Sequence, residues 1–248
     1  MPAPQPQTIY DKLFTRVSDY CEELRTFMVR NDLTVRSFFR DAEKLKKADF
    51  EQGTGILAVL ECECGDLEAS MAYIQVLHEC NLADIHPIDL AITASYKHLR
   101  PSVLAPYLQL YAAEPMVYRQ ENAQQLMVLG AFQHYLDAVA AYEQEGTELD
   151  IPIERLRAFA QQMLRSGIRE QDAMAIVETA GKVLKQHELR WYDGSPEFTS
   201  FDGDVGMLFK VDVSPETAAK LDSELCEQLI QQELDTAPFF VSFVGTAT

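Results

Sequence analysis

From Thr8 to His187 the apolar residues recur at helical spacing, in segments cut by prolines, glycines and an Asn-Asp step; near Glu188 that period gives way to strand-like alternation. This switch limits the fold more than any other feature. A helical stripe must be buried against other helices, and an alternating strand against a layer on one of its faces. The chain is therefore expected to be α+β: a mostly helical N-terminal array followed by a small C-terminal mixed β-sheet unit with one helix. Three divisions follow: a flexible tail over residues 1–8, where three prolines oppose a helix; a helical domain over 9–187; and an acidic, β-rich α/β unit over 188–248.

Within the helical part, Ile9, Leu13, Phe14, Val17, Cys21, Leu24, Phe27 and Met28 form one stripe and predict a helix from Thr8 to Arg30, ended by Asn31-Asp32. A second helix is expected from Thr34 to about Lys47. Gly53-Thr54-Gly55 reads as a break, followed by helices over Ile56–Cys64 and Leu67–Cys80 joined at Gly65-Asp66. Pro87 and Pro101 suit the first turns of further helices. Pro115 breaks the chain again. Leu126, Leu129, Phe132, Leu136, Val139 and Tyr142 then predict one long helix from Met116 or Val117 to Glu145, closed by Gly146. Helices from Pro152 to Arg165 and from Glu170 to His187 complete the array.

The remaining residues read as strands around a helix. Leu189 and Trp191 alternate like a strand, and Asp193-Gly194-Ser195-Pro196 is a turn. Asp202-Gly203-Asp204 is hairpin-turn chemistry ahead of a strand over Val205–Val213. Ser214-Pro215-Glu216-Thr217 carries an N-cap with proline at the first helical position, and Ala218, Leu221, Leu225 and Leu229 form the buried stripe of that helix. Phe239 to Val244 is almost wholly apolar, as a central or parallel strand requires. The expected order is β-β-β-α-β.

Charge narrows the function classes. There are 39 acidic and 21 basic residues, a formal net charge of -18. Phosphate backbones and anionic bilayers both need a concentrated basic patch, so direct nucleic-acid binding and membrane docking are not expected. The charge is also uneven. Residues 1–47 hold nine bases against seven acids, whereas residues 188–248 hold twelve acids against three bases. The five cysteines, Cys21, Cys62, Cys64, Cys80 and Cys226, are odd in number and match no secreted framework; with no signal-like or bilayer-length apolar segment, a reducing cytoplasmic location is expected.

Motifs that could carry chemistry are few. Cys62, Cys64, His78 and Cys80 are soft ligands, but Cys62 and Cys64 on one helix would point to opposite sides and could not share a zinc ion. Neither metal nor cofactor is expected. His78, His86, His98, His134 and His187 stand alone, without a nucleophile spacing. Asp202 and Asp204, near Asp193 and Glu197, lack the further oxygens of a calcium loop, and no glycine-rich phosphate loop is present.

The expected function is therefore non-catalytic: an adaptor, chaperone or inhibitor that presents an acidic C-terminal face to a basic protein partner. The residues expected to meet that partner are Trp191, Tyr192, Asp202, Asp204, Glu216, Asp222, Glu224 and Glu227. Aromatic anchors and complementary charge are what such surfaces use. One alternative is an enzyme whose site lies where the helices meet the sheet, built from His187, Tyr192, Asp193, Asp202 and Asp204. A further alternative is an acidic mimic of nucleic acid.

Overall fold

The computed structural model describes residues 6–22, 24–80, 87–108, 120–144, 146, 153–191, 196–201 and 204–247. The architecture is α+β, with helices throughout and a three-stranded mixed sheet near the C-terminus. The chain packs as two compact units, Met1–Ala94 and Ser95–Thr248. The change from helix to strand falls at residues 187–190, so the sheet shares its unit with helices that precede it.

The first unit is helical. Its elements are α1 (Pro6–Glu22), α2 (Leu33–Ala48), α3 (Phe50–Glu63) and α4 (Leu67–Glu79), with α5 (Pro87–His98) spanning the division. Leu13 and Val17 of α1, Val35, Phe38, Ala42 and Leu45 of α2, and Ile56, Leu57 and Leu60 of α3 form its core. A single residue links α2 to α3. Asp49 donates its backbone N–H to Leu45 O at 2.7 Å and accepts from Gln52 N at 3.0 Å, so it ends one helix and caps the next. Gly53 and Gly55, expected to break the chain, lie buried inside α3. The reason is proximity: a Cβ on Gly53 would fall 2.2 Å from the Lys46 backbone, so only glycine lets the two helices leave Asp49 this close together.

Two further boundaries differ from expectation. α1 begins at Pro6, which a first turn tolerates, and ends at Glu22 rather than near Arg30. Beyond it Met28 is still buried, but its N–H donates to Glu63 O at the end of α3, at 2.8 Å. That tertiary bond satisfies an orphan carbonyl of α3 and replaces the helical bond that the apolar spacing had suggested.

The second unit contains a short 3₁₀ turn (Pro101–Val103), α6 (Gln120–Val128), α7 (Phe132–Gln144), α8 (Ile153–Arg165), α9 (Glu170–Gln186), β1 (Glu197–Phe201), β2 (Asp204–Val211), α10 (Pro215–Gln231) and β3 (Phe239–Gly245). The expected long helix is two helices, α6 and α7. Gly130, at φ +77°, donates to Met127 O, and Ala131 donates to Leu126 O at 2.9 Å, the paired bonds of a Schellman stop. The apolar stripe runs on across this stop because both helices face the same core. Pro115 to Val117 lie outside the described residues.

The sheet has the order β1-β2-β3. β1 pairs antiparallel with β2, with Phe201 opposite Asp204, and β2 pairs parallel with β3, with Val205 opposite Phe239. β3 is therefore parallel, as its composition suggested, but at the edge. Trp191 contributes one antiparallel bridge to Val211 in place of a further strand. Val205, Met207, Phe209 and Val211 on β2 and Phe239, Val241 and Phe243 on β3 are buried on one face.

Candidate protein-docking surface

The C-terminal acids are positioned chiefly by α10 and by the two strand starts beside its far end. α10 begins as its sequence foretells: the Ser214 hydroxyl accepts from Thr217 N at 3.3 Å, and Pro215 fills the first helical position. Glu216 in that first turn is held below the usual carboxylate range by its own backbone N–H and by the Ser214 side chain. Ala218, Leu221, Leu225 and Leu229 are buried. The opposite side exposes Glu216, Lys220, Ser223, Cys226, Glu227 and Ile230.

This geometry separates the expected acids. Glu216 and Glu227 share the outward side of α10. Asp222 turns inward: its carboxylate accepts from Ser242 Oγ and from Phe243 N, each at 2.8 Å. Burial raises its pKa, against the lowering effect of those two donors. Phe243 N–H belongs to β3, the edge strand, so Asp222 occupies a donor that would otherwise invite another strand. Glu224 pairs with His187 Nε2 at 2.8 Å on the seam between α9 and α10, beside Gln228.

At the far end of α10 the charge is uncompensated among the described residues. Glu227, Glu233 and Asp235 are exposed, as is Asp204 at the start of β2. The sheet register brings these groups to one end of the unit: β2 and β3 start side by side, and Val205 N donates to Pro238 O at 3.2 Å just after the loop that follows α10. None of the four carboxylates has an ion-pair partner among the described residues, and the last turn of α10 contains no base. The C-terminal end of a helix carries partial negative charge, so acids there are unfavourable by about 0.3–1 kcal/mol each.

Trp191 is 3 % exposed. Its Nε1–H donates to Tyr96 O at 3.2 Å, and its ring meets Tyr96 and Phe209 edge-on at centroid distances of 4.8 and 5.2 Å. It fastens the end of α5 to the sheet inside the second unit, and the folded chain leaves it no surface for a partner. Tyr192, Asp193 and Asp202 lie outside the described residues.

The enzymatic alternative keeps one pair. His187 and Glu224 could exchange a proton, but their side chains are 46 % and 34 % exposed, and the described groups hydrogen-bonded nearby are the amides of Gln186 and Gln228. Asp204 is exposed at the start of β2 and shares no hydrogen bond or ion pair with either among the described residues. In the first unit Cys62 is buried in α3 and Cys64 caps it, its thiol pushed up to about 11 by burial first and then by nearby carboxylates. His78 and Cys80 are exposed at the end of α4. Among the described residues no group of three or more His, Cys, Asp or Glu side chains is placed to hold a metal ion.

Three carboxylates that bind donors distant in sequence escaped the reading from sequence. Glu61, with a side chain 4 % exposed, takes both terminal nitrogens of Arg30, which also lies over the Phe39 ring at 4.6 Å. Glu178 accepts from Arg100 Nε at 2.6 Å and Ser102 N at 3.1 Å. Glu170 accepts from Gln133 N and His134 N at the start of α7 and pairs with His134 Nδ1 at 2.7 Å. Each satisfies backbone or guanidinium donors far away in sequence. Only their position on an otherwise buried helical side could have marked them.

No helix among the described residues is long and apolar enough to cross a membrane. Comparison with protein-family models, with characterised proteins and with solved structures finds no match to this chain.

Proposed function

We propose that this chain is a non-catalytic binding protein and that the acidic end formed by Glu227, Glu233, Asp235 and Asp204 docks a basic protein partner. The supporting observation is the set of exposed carboxylates at and beside the C-terminal end of α10, where the helix dipole opposes them and none has an ion-pair partner among the described residues. A fold gains nothing from that arrangement by itself. A cationic partner relieves it, and the excess negative charge raises the rate of encounter at low salt. The expected docking set is thereby narrowed. Asp222 and Glu224 serve internal contacts, Trp191 serves the core, and Glu216 flanks the same outward side of α10 about three turns away.

The test is affinity capture from native extract with the wild-type chain and with Glu227→Gln/Glu233→Gln/Asp235→Asn, at about 50 mM and about 500 mM salt. A basic partner should be retained by wild type at low salt and released at high salt, and the triple variant should lose it. Retention by the variant, or no salt-sensitive partner, contradicts the proposal.

A further inference from the structure

The first unit carries a surface that mirrors the acidic end. Leu33 at the start of α2 is 81 % exposed and Val29 just before it is 68 % exposed, the largest exposures among the exposed large apolar residues. Along the same side of α2 run Arg36, Arg40, Lys44 and Lys47, all exposed, at three- and four-residue spacing. Among the described residues Arg40 and Lys44 reach only the shared Asp41, at 3.8 and 3.4 Å; Glu43 within the helix and Asp32 at its N-cap are the exposed acids nearby. A chain of net charge -18 thus keeps a basic helix side with an apolar tip. In the second unit, Ile230 is 59 % exposed on α10, flanked by Glu227 and Glu233. One surface sets exposed apolar side chains beside bases and the other sets one beside acids.

We infer that the occupant of the α2 face is a second copy of this chain, whose α10 end places Ile230 against Leu33 and Val29 and sets Glu227 and Glu233 opposite Arg36 and Arg40. This rests on the reading of the α10 end as a docking surface and names as its partner the local basic side of α2 on a second copy, although each copy carries a net charge of -18. The two surfaces are different, so the association is heterologous: each copy offers one of each and assembly proceeds head to tail. Opposite charge supplies orientation and rate, and the apolar contact supplies the desolvated centre.

Sedimentation velocity of the full chain tests this. Wild type should gain mass between about 5 and about 200 μM at about 50 mM salt, and return to monomer at about 500 mM. Arg36→Gln/Arg40→Gln has lost the α2 face and Glu227→Gln/Glu233→Gln the α10 face; each alone should remain monomeric. Mixed in equal amounts, they should form a one-to-one dimer that grows no further, because each supplies the face the other lacks. Circular dichroism and thermal melting confirm that both fold, with Arg36→Ala/Arg40→Ala replacing the first variant should it melt early. A wild type that stays monomeric, or variants that associate as wild type does, overturns the inference. A monomeric wild type that still captures a basic protein through Glu227, Glu233 and Asp235 removes self-association alone and leaves the docking end standing.

Discussion

His134 is the residue at which protonation and folding are most directly joined. Its ring nitrogen shares Glu170 with the first backbone N–H groups of α7, and its pKa is raised by the hydrogen bond to Glu170 first, against the lowering effect of burial. A raised folded-state value means that the native state binds the proton more tightly. The contribution is complete below the ordinary histidine value near 6.5 and is lost as pH rises through the raised one. Urea midpoints at about pH 6 and about pH 9 should therefore differ less in His134→Gln than in wild type; an unchanged difference would sink this assignment. None of this was legible in the sequence, where His134 stood beside an apolar stripe with no visible partner. Glu170 is 36 positions away, and no local spacing rule connects residues across such a gap. Glu178 with Arg100 and Glu61 with Arg30 were hidden for the same reason.

Elements were more legible than residues. The apolar period located α2, α4, α8, α9 and α10 closely, and Ser214-Pro215 fixed the start of α10 because cap chemistry is local. Glycine was misread in both directions. Gly53 looked like a break and is a point of contact between helices. Gly130 looked like a helical residue and is a stop, because the stripe on either side of it continues. Both roles depend on what approaches the backbone from elsewhere. Adding a Cβ at Gly130 would place it 2.8 Å from the Ala173 backbone, in a left-handed conformation besides. Gly53→Ala and Gly130→Ala should each lower stability by about 2 kcal/mol or more through overpacking or backbone strain. Chemical denaturation would read this, and a loss below about 0.5 kcal/mol at either site would mean the neighbouring backbone yields freely.

For the whole molecule, the distribution of charge was legible in composition, while its arrangement was not. Counting showed that the last quarter of the chain is strongly acidic. It could not show that Asp222 holds the edge strand and Glu224 holds His187, or that the charge left over gathers where α10 ends. That distinction yields opposite expectations for two kinds of substitution. Removing Asp222 should weaken the fold. Neutralising Glu227 and Glu233 should strengthen it slightly, by about 0.5–1 kcal/mol, because the helix dipole no longer opposes them.

The association rate of the captured basic partner, measured against ionic strength for wild type and for Glu227→Gln/Glu233→Gln/Asp235→Asn, addresses the docking end most directly. The wild-type rate should fall by about tenfold or more between low and high salt, with the variant slow and nearly flat. Equal rates and equal salt slopes for the two proteins would place the binding surface elsewhere.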